Sequence, residues 1–324
     1  MSERAHGIHD HPELKLGKRV TDASRPQLRM GAHMRAAAYV RPAAVDYASR
    51  VDQWVLGAND QFGTCGPVSV ANLALLVSTV LGEAPVRFTT EEVYDLYRRS
   101  GNPDFDPATG ADDNGVDMTV LLSELVKGGI GFGPRNVRAI AYGQLNANDP
   151  EEMWSAAALF GGVLIGADLD QAQAEQFAAG VTWDHVSRSP DWGGHAMFAA
   201  PRYNDVAGTL ADRTALVTWG KITDATDKFV RKHMPEAYAV IFPWHLRDRG
   251  FWTGLDLAGV AREFTALTGR PFPPVEPPPA PREAVLADFP FAELNAWASR
   301  PRGYKGSEKA AAAYNGWKRA HGLN

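Results

Sequence analysis

The chain has 324 residues, 45% of them hydrophobic and 22% charged, with a net charge of -5 and a single cysteine. That is the balance of a globular protein able to bury one large core or two smaller ones. It excludes the basic footprint of a nucleic-acid binder, an internal disulfide framework and a cysteine-based zinc site. No run of about 18 apolar residues is present, so no membrane-spanning helix is expected. Residues 1–13 are polar and histidine-bearing, without the apolar stretch of a Sec signal peptide.

Residues 1–40 are basic and loop-like and are expected to form an arm that lies on the surface or is disordered. No propeptide is identifiable, although this arm could cover a cleft. Pro42 to Asp60 reads as extended, anchored by Val45, Tyr47, Val51, Trp54 and Leu56. A polar loop from Asn59 to Thr64 then runs into the apolar stretch Val68 to Leu81, which predicts a buried helix with Cys65 in its first turn and an end near Gly82. Unpaired N–H groups at a helix start carry partial positive charge and push a thiol toward the thiolate. The alternative for a lone cysteine is a small buried hydrophobe.

Thr89 followed by Glu92 is a capping box that opens a helix through Arg98. Gly101 to Gly115 is a long loop. Its Asp104, Asp106, Asp112, Asp113 and Asn114 raise calcium, but no glutamate stands at the twelfth position of an EF-hand, so a solvated loop and no metal are expected. Asp117 to Lys127 has Met118, Leu121, Leu122 and Leu125 at helical spacing, and Gly128 and Gly129 end it. Val137 to Tyr142 alternates as a strand. Pro150 to Phe160 reads as a helix, Val163 to Asp168 as a buried strand and Gln171 to Ala179 as a short helix.

Gly193 and Gly194 feed an apolar strand through Ala199, with His195 at its mouth. Thr214 to Trp219 is the next strand, Asp224 to His233 a helix, Glu236 to Phe242 the last strong strand, and Gly254 to Thr268 a helix. Helices first and strands second argue for an α+β fold, a helical half facing an antiparallel sheet half. Seven prolines between Pro271 and Pro281 predict a stiff spacer. Beyond it, Phe289 to Trp297 and Ser307 to Arg319 read as a small helical tail. Its Trp297, Tyr304, Tyr314 and Trp317 offer aromatic surface for docking on this domain or on a protein partner. The expected organisation is an arm (1–40), a main domain (41–268), a proline-rich linker (269–282) and the tail (283–324).

A cysteine at a helix start and a histidine on a strand about 130 residues later form the arrangement a thiol peptidase needs. The imidazole takes the thiol proton and later protonates the leaving amine. Taken alone, His195 reads as a buried structural histidine; joined to Cys65 and the glycines around it, it reads as catalytic.

The motifs resemble those of the papain-like (C1-type) cysteine peptidases, in order along residues 40–246. They are Ala44-Val45-Asp46-Tyr47, Gly63-Thr64-Cys65-Gly66, Asp113-Asn114-Gly115, Gly194-His195-Ala196-Met197, Thr218-Trp219-Gly220 and Glu236-Ala237-Tyr238. More narrowly, Asn59-Asp60 ahead of Gly63 and Cys65, Asp106-Pro107 through Asn114-Gly115, Gly193-Gly194-His195 and Val217-Thr218-Trp219-Gly220 are similar to uncharacterised papain-like proteins of bacteria and their phages. The resemblance implies a papain-like two-lobe fold and a thiol-dependent peptidase or amidase that passes through a thioester at Cys65, with His195 as general base and no cofactor. It implies a peptide or protein substrate, such as a cell-wall peptide, no nucleic acid and no membrane. It implies a cytoplasmic or virion-associated location, with the arm and tail free to hold protein partners.

The family places an oxyanion-holding glutamine six residues before the cysteine. That position is Asn59 here, and Gln61 is the runner-up. The family's histidine-orienting asparagine is replaced by Val217, which makes the adjacent Thr218 the candidate. Trp219 would shield that contact, and Asn114, Gly115, Gly194 and Trp219 would line the substrate cleft. Two other readings use the same residues: a papain-fold structural or virion protein without turnover, and a transglutaminase or acyltransferase.

Overall fold

The computed structural model describes residues 14–22, 24–81, 83–204, 213–274 and 315–316. The chain divides into two compact units, Met1–Pro277 and Pro278–Asn324. Of the second only Asn315 and Gly316 are described, both helical. The expected tail helices, their aromatic residues, most of the proline-rich spacer and the helix stop at Gly82 lie outside the described residues.

The first unit opens with α1 (Met30–Ala36), followed by the short strand β1 (Ala44–Asp46). Three helices come next: α2 (Cys65–Val80), α3 (Thr90–Arg99) and α4 (Met118–Lys127). Strand β2 (Ala141–Leu145), helix α5 (Pro150–Phe160), strand β3 (Val163–Asp170) and helix α6 (Gln171–Ala178) lead into the long strand β4 (Asp191–Ala200). The remainder is β5 (Arg202–Asn204), β6 (Arg213–Thr218), β7 (Lys221–Thr226), α7 (Asp227–His233), β8 (Glu236–Ile241), α8 (Arg249–Gly254) and α9 (Leu257–Thr268).

Six strands form one antiparallel sheet in the order β2-β8-β3-β4-β6-β7, and β1 pairs with β5 in a separate ribbon. Alternate residues of a strand face opposite sides of a sheet. Leu164, Phe198, Val217, Tyr238 and Val240 pack against α2, α3 and α4. Ile165, Met197, Leu216, Ala237 and Ile241 pack with α5, α7 and α9 on the other face. Helix α2 is buried from Cys65 to Ser78, which suits its almost wholly apolar composition.

The capping box at Thr89 is present, with the Glu92 carboxylate accepting the Thr89 N–H at 2.8 Å. Three elements differ from expectation. The strand expected from Val137 begins at Ala141, and Val137 makes only an isolated bridge to Ile130. The helix expected from Asp224 begins at Asp227, because residues 221–226 pair with β6 instead. A two-residue turn, Trp219 and Gly220 with φ of +43° and +71°, joins those strands, and positive φ at both central positions matches the right-handed twist of a hairpin. Helix α1 falls within the stretch read as a loop-like arm. Its Met30 and Met34 are buried against the sheet lobe, a tertiary contact that a seven-residue helix does not announce in sequence.

Candidate active site

Cys65 is the first residue of α2. Thr64 closes the loop before it by donating its hydroxyl to Gly57 O at 3.1 Å. Pro67 stands in the first turn, where an N–H would have no helical partner. Gly66 allows close approach to the neighbouring loop, since a Cβ there would sit 2.5 Å from Val116 Cγ2. The acidic loop supports the cysteine loop from the side. Asp113 Oδ1 accepts the Gly63 N–H at 2.9 Å and the Tyr97 hydroxyl at 2.6 Å, and Tyr97 Oη accepts the Gly115 N–H at 2.8 Å. Asp106 and Asp112 accept backbone N–H groups within the same loop. These carboxylates thus hold the loop in shape.

His195 lies on β4, where β3 pairs along one flank from Ala199 to Asp191. On the other flank β6 reaches only Phe198 to Ala200. The open part of that strand meets the start of α2, and the Ala196 N–H donates to Cys65 Sγ at 3.4 Å. The His195 imidazole is held in two ways. Its Nε2 is 2.6 Å from Thr218 Oγ1, and its ring stacks on Trp219 at 4.1 Å between centroids, with 16° between planes. The β6–β7 turn delivers both partners, and Trp219 takes up its positive φ there. His195 Nδ1 is buried without a hydrogen-bond partner among the described residues.

Burial dominates the electrostatics. It pushes the Cys65 thiol up to about 11, against opposing N–H contacts from Ala196, Gly66 and Gly17. It lowers His195 to about 3. Both groups are therefore neutral near pH 7 in the conformation described.

The chain's own N-terminal arm lies over this site, with a Gly17 N–H contact to the Cys65 sulfur. Leu16 and Lys18 are 4% and 7% exposed. The Val116 N–H donates to Gly17 O at 2.7 Å, the Arg19 N–H to Val116 O at 2.8 Å and the Lys18 N–H to Gly194 O at 3.0 Å. Asn59 Nδ2 and Trp219 Nε1 both reach Lys15 O, at 3.3 and 3.2 Å. Glycines make the passage possible. A Cβ on Gly17 would lie 2.1 Å from Gly63 O, one on Gly115 2.3 Å from Gly17 O, and one on Gly194 2.2 Å from Lys18 O. Residues 15–19 thus lie in the cleft as a bound peptide would, with backbone bonds to both walls.

The structure brings Cys65, His195, Asn59, Gly115, Gly194, Thr218 and Trp219 together around this segment. Gln61 is exposed, with its N–H closing a turn onto Ala58 O, and Asn114 is exposed with its side chain on Asp112. Sequence reading missed the arm's contacts and the Asp113–Tyr97 pair. The Leu16 and Gly17 pair ahead of Lys18 was the available signal for the arm. A separate group, Asp170, His185 and His233, offers donor atoms within 4.8 Å of one another, of the types a zinc ion takes.

Two outcomes follow. Asp113→Ala strands the Gly63 N–H and the Tyr97 hydroxyl, and urea unfolding should show a loss of about 2 kcal/mol. Acid should also destabilise the chain. His195 and His245, lowered by burial to about 3 and about 4, stay neutral when folded but take up protons once unfolded. Their contribution is complete above pH 6.5 and is lost as pH falls toward 4, at up to about 2.7 kcal/mol per pH unit for two protons. Thermal melts between pH 7 and pH 4 measure it.

No family model matches the chain, and no curated protein matches it significantly. Solved structures do. Xylellain, a cysteine protease from Xylella fastidiosa, aligns at 11% identity over 72% of this chain and 97% of its own, with a TM-score of 0.52. A procathepsin B from Trypanosoma congolense aligns at 14% identity over 70% of this chain and 86% of its own, with a TM-score of 0.49. A digestive procathepsin L 3 of Tenebrio molitor larval midgut aligns at 14% over 67% and 75%, with a TM-score of 0.47. At such identities the likeness is one of fold. The helical lobe, the antiparallel sheet lobe and the alignment over nearly all of xylellain establish that this chain has the papain-like fold.

Proposed function

We propose that the chain is a thiol-dependent peptidase or amidase whose N-terminal arm occupies its own cleft at rest. The observations that support this reading are a buried His195 Nδ1 with no hydrogen-bond partner among the described residues and a Cys65 sulfur that accepts the N–H of the next residue, Ala196. In the productive tautomer, Nε2–H donates to Thr218 Oγ1 and the Nδ1 lone pair is free to accept the thiol proton. The sulfur then attacks the carbonyl carbon, and the oxyanion takes hydrogen bonds from the Cys65 N–H and Asn59 Nδ2. The protonated imidazole returns its proton to the departing amine. A water deprotonated by the same nitrogen hydrolyses the thioester, which releases the carboxylate and regenerates the thiol.

The substrate class is peptide, because the arm satisfies both cleft walls through its backbone. A cell-wall peptide and a virion-associated setting rest on motif likeness alone. The second reading is a papain-fold scaffold without turnover. Its support is the sealed site, with Cys65 and His195 both neutral.

The arm explains a sealed site without giving up the enzyme. Gly17→Val in the full chain cannot seat against Gly63. It should therefore alkylate at Cys65 with iodoacetamide at least tenfold faster than the wild type at pH 7.5 and gain hydrolysis of unstructured peptides. In the wild type, labelling should lag a free thiol and climb with pH toward 11. Cys65→Ala placed on Gly17→Val should fold and show no hydrolysis. Hydrolysis that persists in the double variant rules out the mechanism, and a freely labelled but inert Gly17→Val chain favours the scaffold.

A further inference from the structure

Three side chains apart from those around Cys65 converge at one end of the sheet. Asp170 ends β3, His185 lies in the loop between α6 and β4, and His233 ends α7. His185 Nδ1 is 3.0 Å from His233 Nε2, and His233 Nε2 is 3.9 Å from Asp170 Oδ2. The three donor atoms all lie within 4.8 Å of one another. His233 is buried, while the Asp170 side chain is 21% exposed. The two histidines are 48 positions apart, so no local spacing announces the set.

Both rings are held in place by the surrounding structure. His233 Nδ1 is 2.8 Å from Asp168 O. A carbonyl oxygen only accepts, so Nδ1 carries the proton, and the neutral ring keeps a lone pair on Nε2, aimed into the cluster. That outer bond is one that metal-ligating histidines ordinarily make. The ring also stacks on Phe229 at 4.9 Å, with 17° between planes. His185 is positioned through its backbone. Lys228 Nζ donates to His185 O at 3.2 Å, the Asp184 N–H donates to Gln176 Oε1 at 3.0 Å, and Gln173 Nε2 donates to Asp184 O at 2.9 Å. The buried Trp183, two residues earlier, bonds through its backbone to Asp224 O and the Thr226 N–H on β7. Asp191 is paired opposite Asp170 and brings a second carboxylate to this end of the sheet.

We propose that Asp170, His185 and His233 form a binding site for one zinc-class divalent ion, which clips the His185 loop and α7 to the end of β3. Two imidazoles and a carboxylate are the donors of a zinc site with one position left for water. Calcium and magnesium favour oxygen donors throughout. Tetrahedral donors about 2.0–2.1 Å from zinc stand roughly 3.4 Å apart. The separations of 3.0 and 3.9 Å bracket that value, and the partly exposed Asp170 carboxylate has room to turn onto the ion. Without an ion, His185 carries its proton on Nδ1 and donates it to His233. With one, that proton sits on Nε2, and both lone pairs point at the metal.

The test titrates zinc into the metal-free full chain against a chromophoric chelator. The parent chain carries Cys65→Ala, which removes the thiol as a competing ligand. His6, His9 and His11 can bind zinc by themselves, so the site is read as the difference from His185→Ala on the same background. The parent should take up one tight equivalent. His185→Ala should weaken it at least thirtyfold and Asp170→Asn at least tenfold. Zinc at 100 times its dissociation constant should raise the parent Tm by about 5 °C, leave His185→Ala unmoved, and have no counterpart in magnesium. If His185→Ala does not fold, Asp170→Asn carries the comparison. Cobalt(II) on the parent gives a readout that needs no site variant: the visible d–d bands of a tetrahedral ion, displaced by one equivalent of zinc. Equal zinc affinity and stabilisation in the parent and His185→Ala, or a cobalt spectrum that stays that of the aqueous ion, overturns the proposal and leaves the two rings a hydrogen-bonded pair. Neither result bears on the hydrolase reading, because every chain compared lacks the thiol.

Discussion

The contact between the Cys65 sulfur and the Ala196 N–H joins the helical lobe to the strand of the sheet lobe that carries His195. It needs a strand whose flank is open. Because β6 stops pairing at Phe198, the mouth of β4 keeps a free edge, and the first turn of α2 docks there. The hairpin that ends β6 then supplies the two groups that hold the imidazole, a hydroxyl from Thr218 and a ring from Trp219. Shortening one strand creates the edge, and turning it back furnishes the clamp.

The same open seam is a liability for a resting protein, and the arm fills it. Its hold is mostly backbone to backbone, with glycines at Gly17, Gly63, Gly115 and Gly194 giving the main chains room to approach. Such bonds are sequence-tolerant, because every residue offers the same backbone groups. The Lys18 side chain adds what backbone bonds lack, a charge matched to Glu236 and Asp168. Burial favours the neutral form of both the thiol and the imidazole.

The acidic loop shows how residues suited to one chemistry serve another. Asp104 to Asn114 carry the donor types of a calcium loop, yet Asp113 ties the cysteine loop to Gly115 through Tyr97, and Asp106 and Asp112 close turns. Short carboxylates bond readily to nearby backbone N–H groups, and in this loop that local option is taken.

Local patterns determined much of this protein. The apolar run after Cys65, the capping box at Thr89, the helices at Met118 and Pro150 and the strands at Val163 and Glu236 were legible because each carries its own periodicity or cap. So were the candidate cysteine and histidine, whose residue types and glycine surroundings are unusual in a chain with one thiol. Tertiary structure alone decided that Thr218 faces His195, that Gln61 stays in solvent while Asn59 reaches the cleft, and that β7 replaces the start of an expected helix. It also decided that residues 15–19 lie in the cleft and that Lys18 meets Glu236 from 218 positions away. Side-chain direction on a strand, and pairing between distant segments, depend on register and on which faces become buried. Neither quantity exists until the chain has closed on itself.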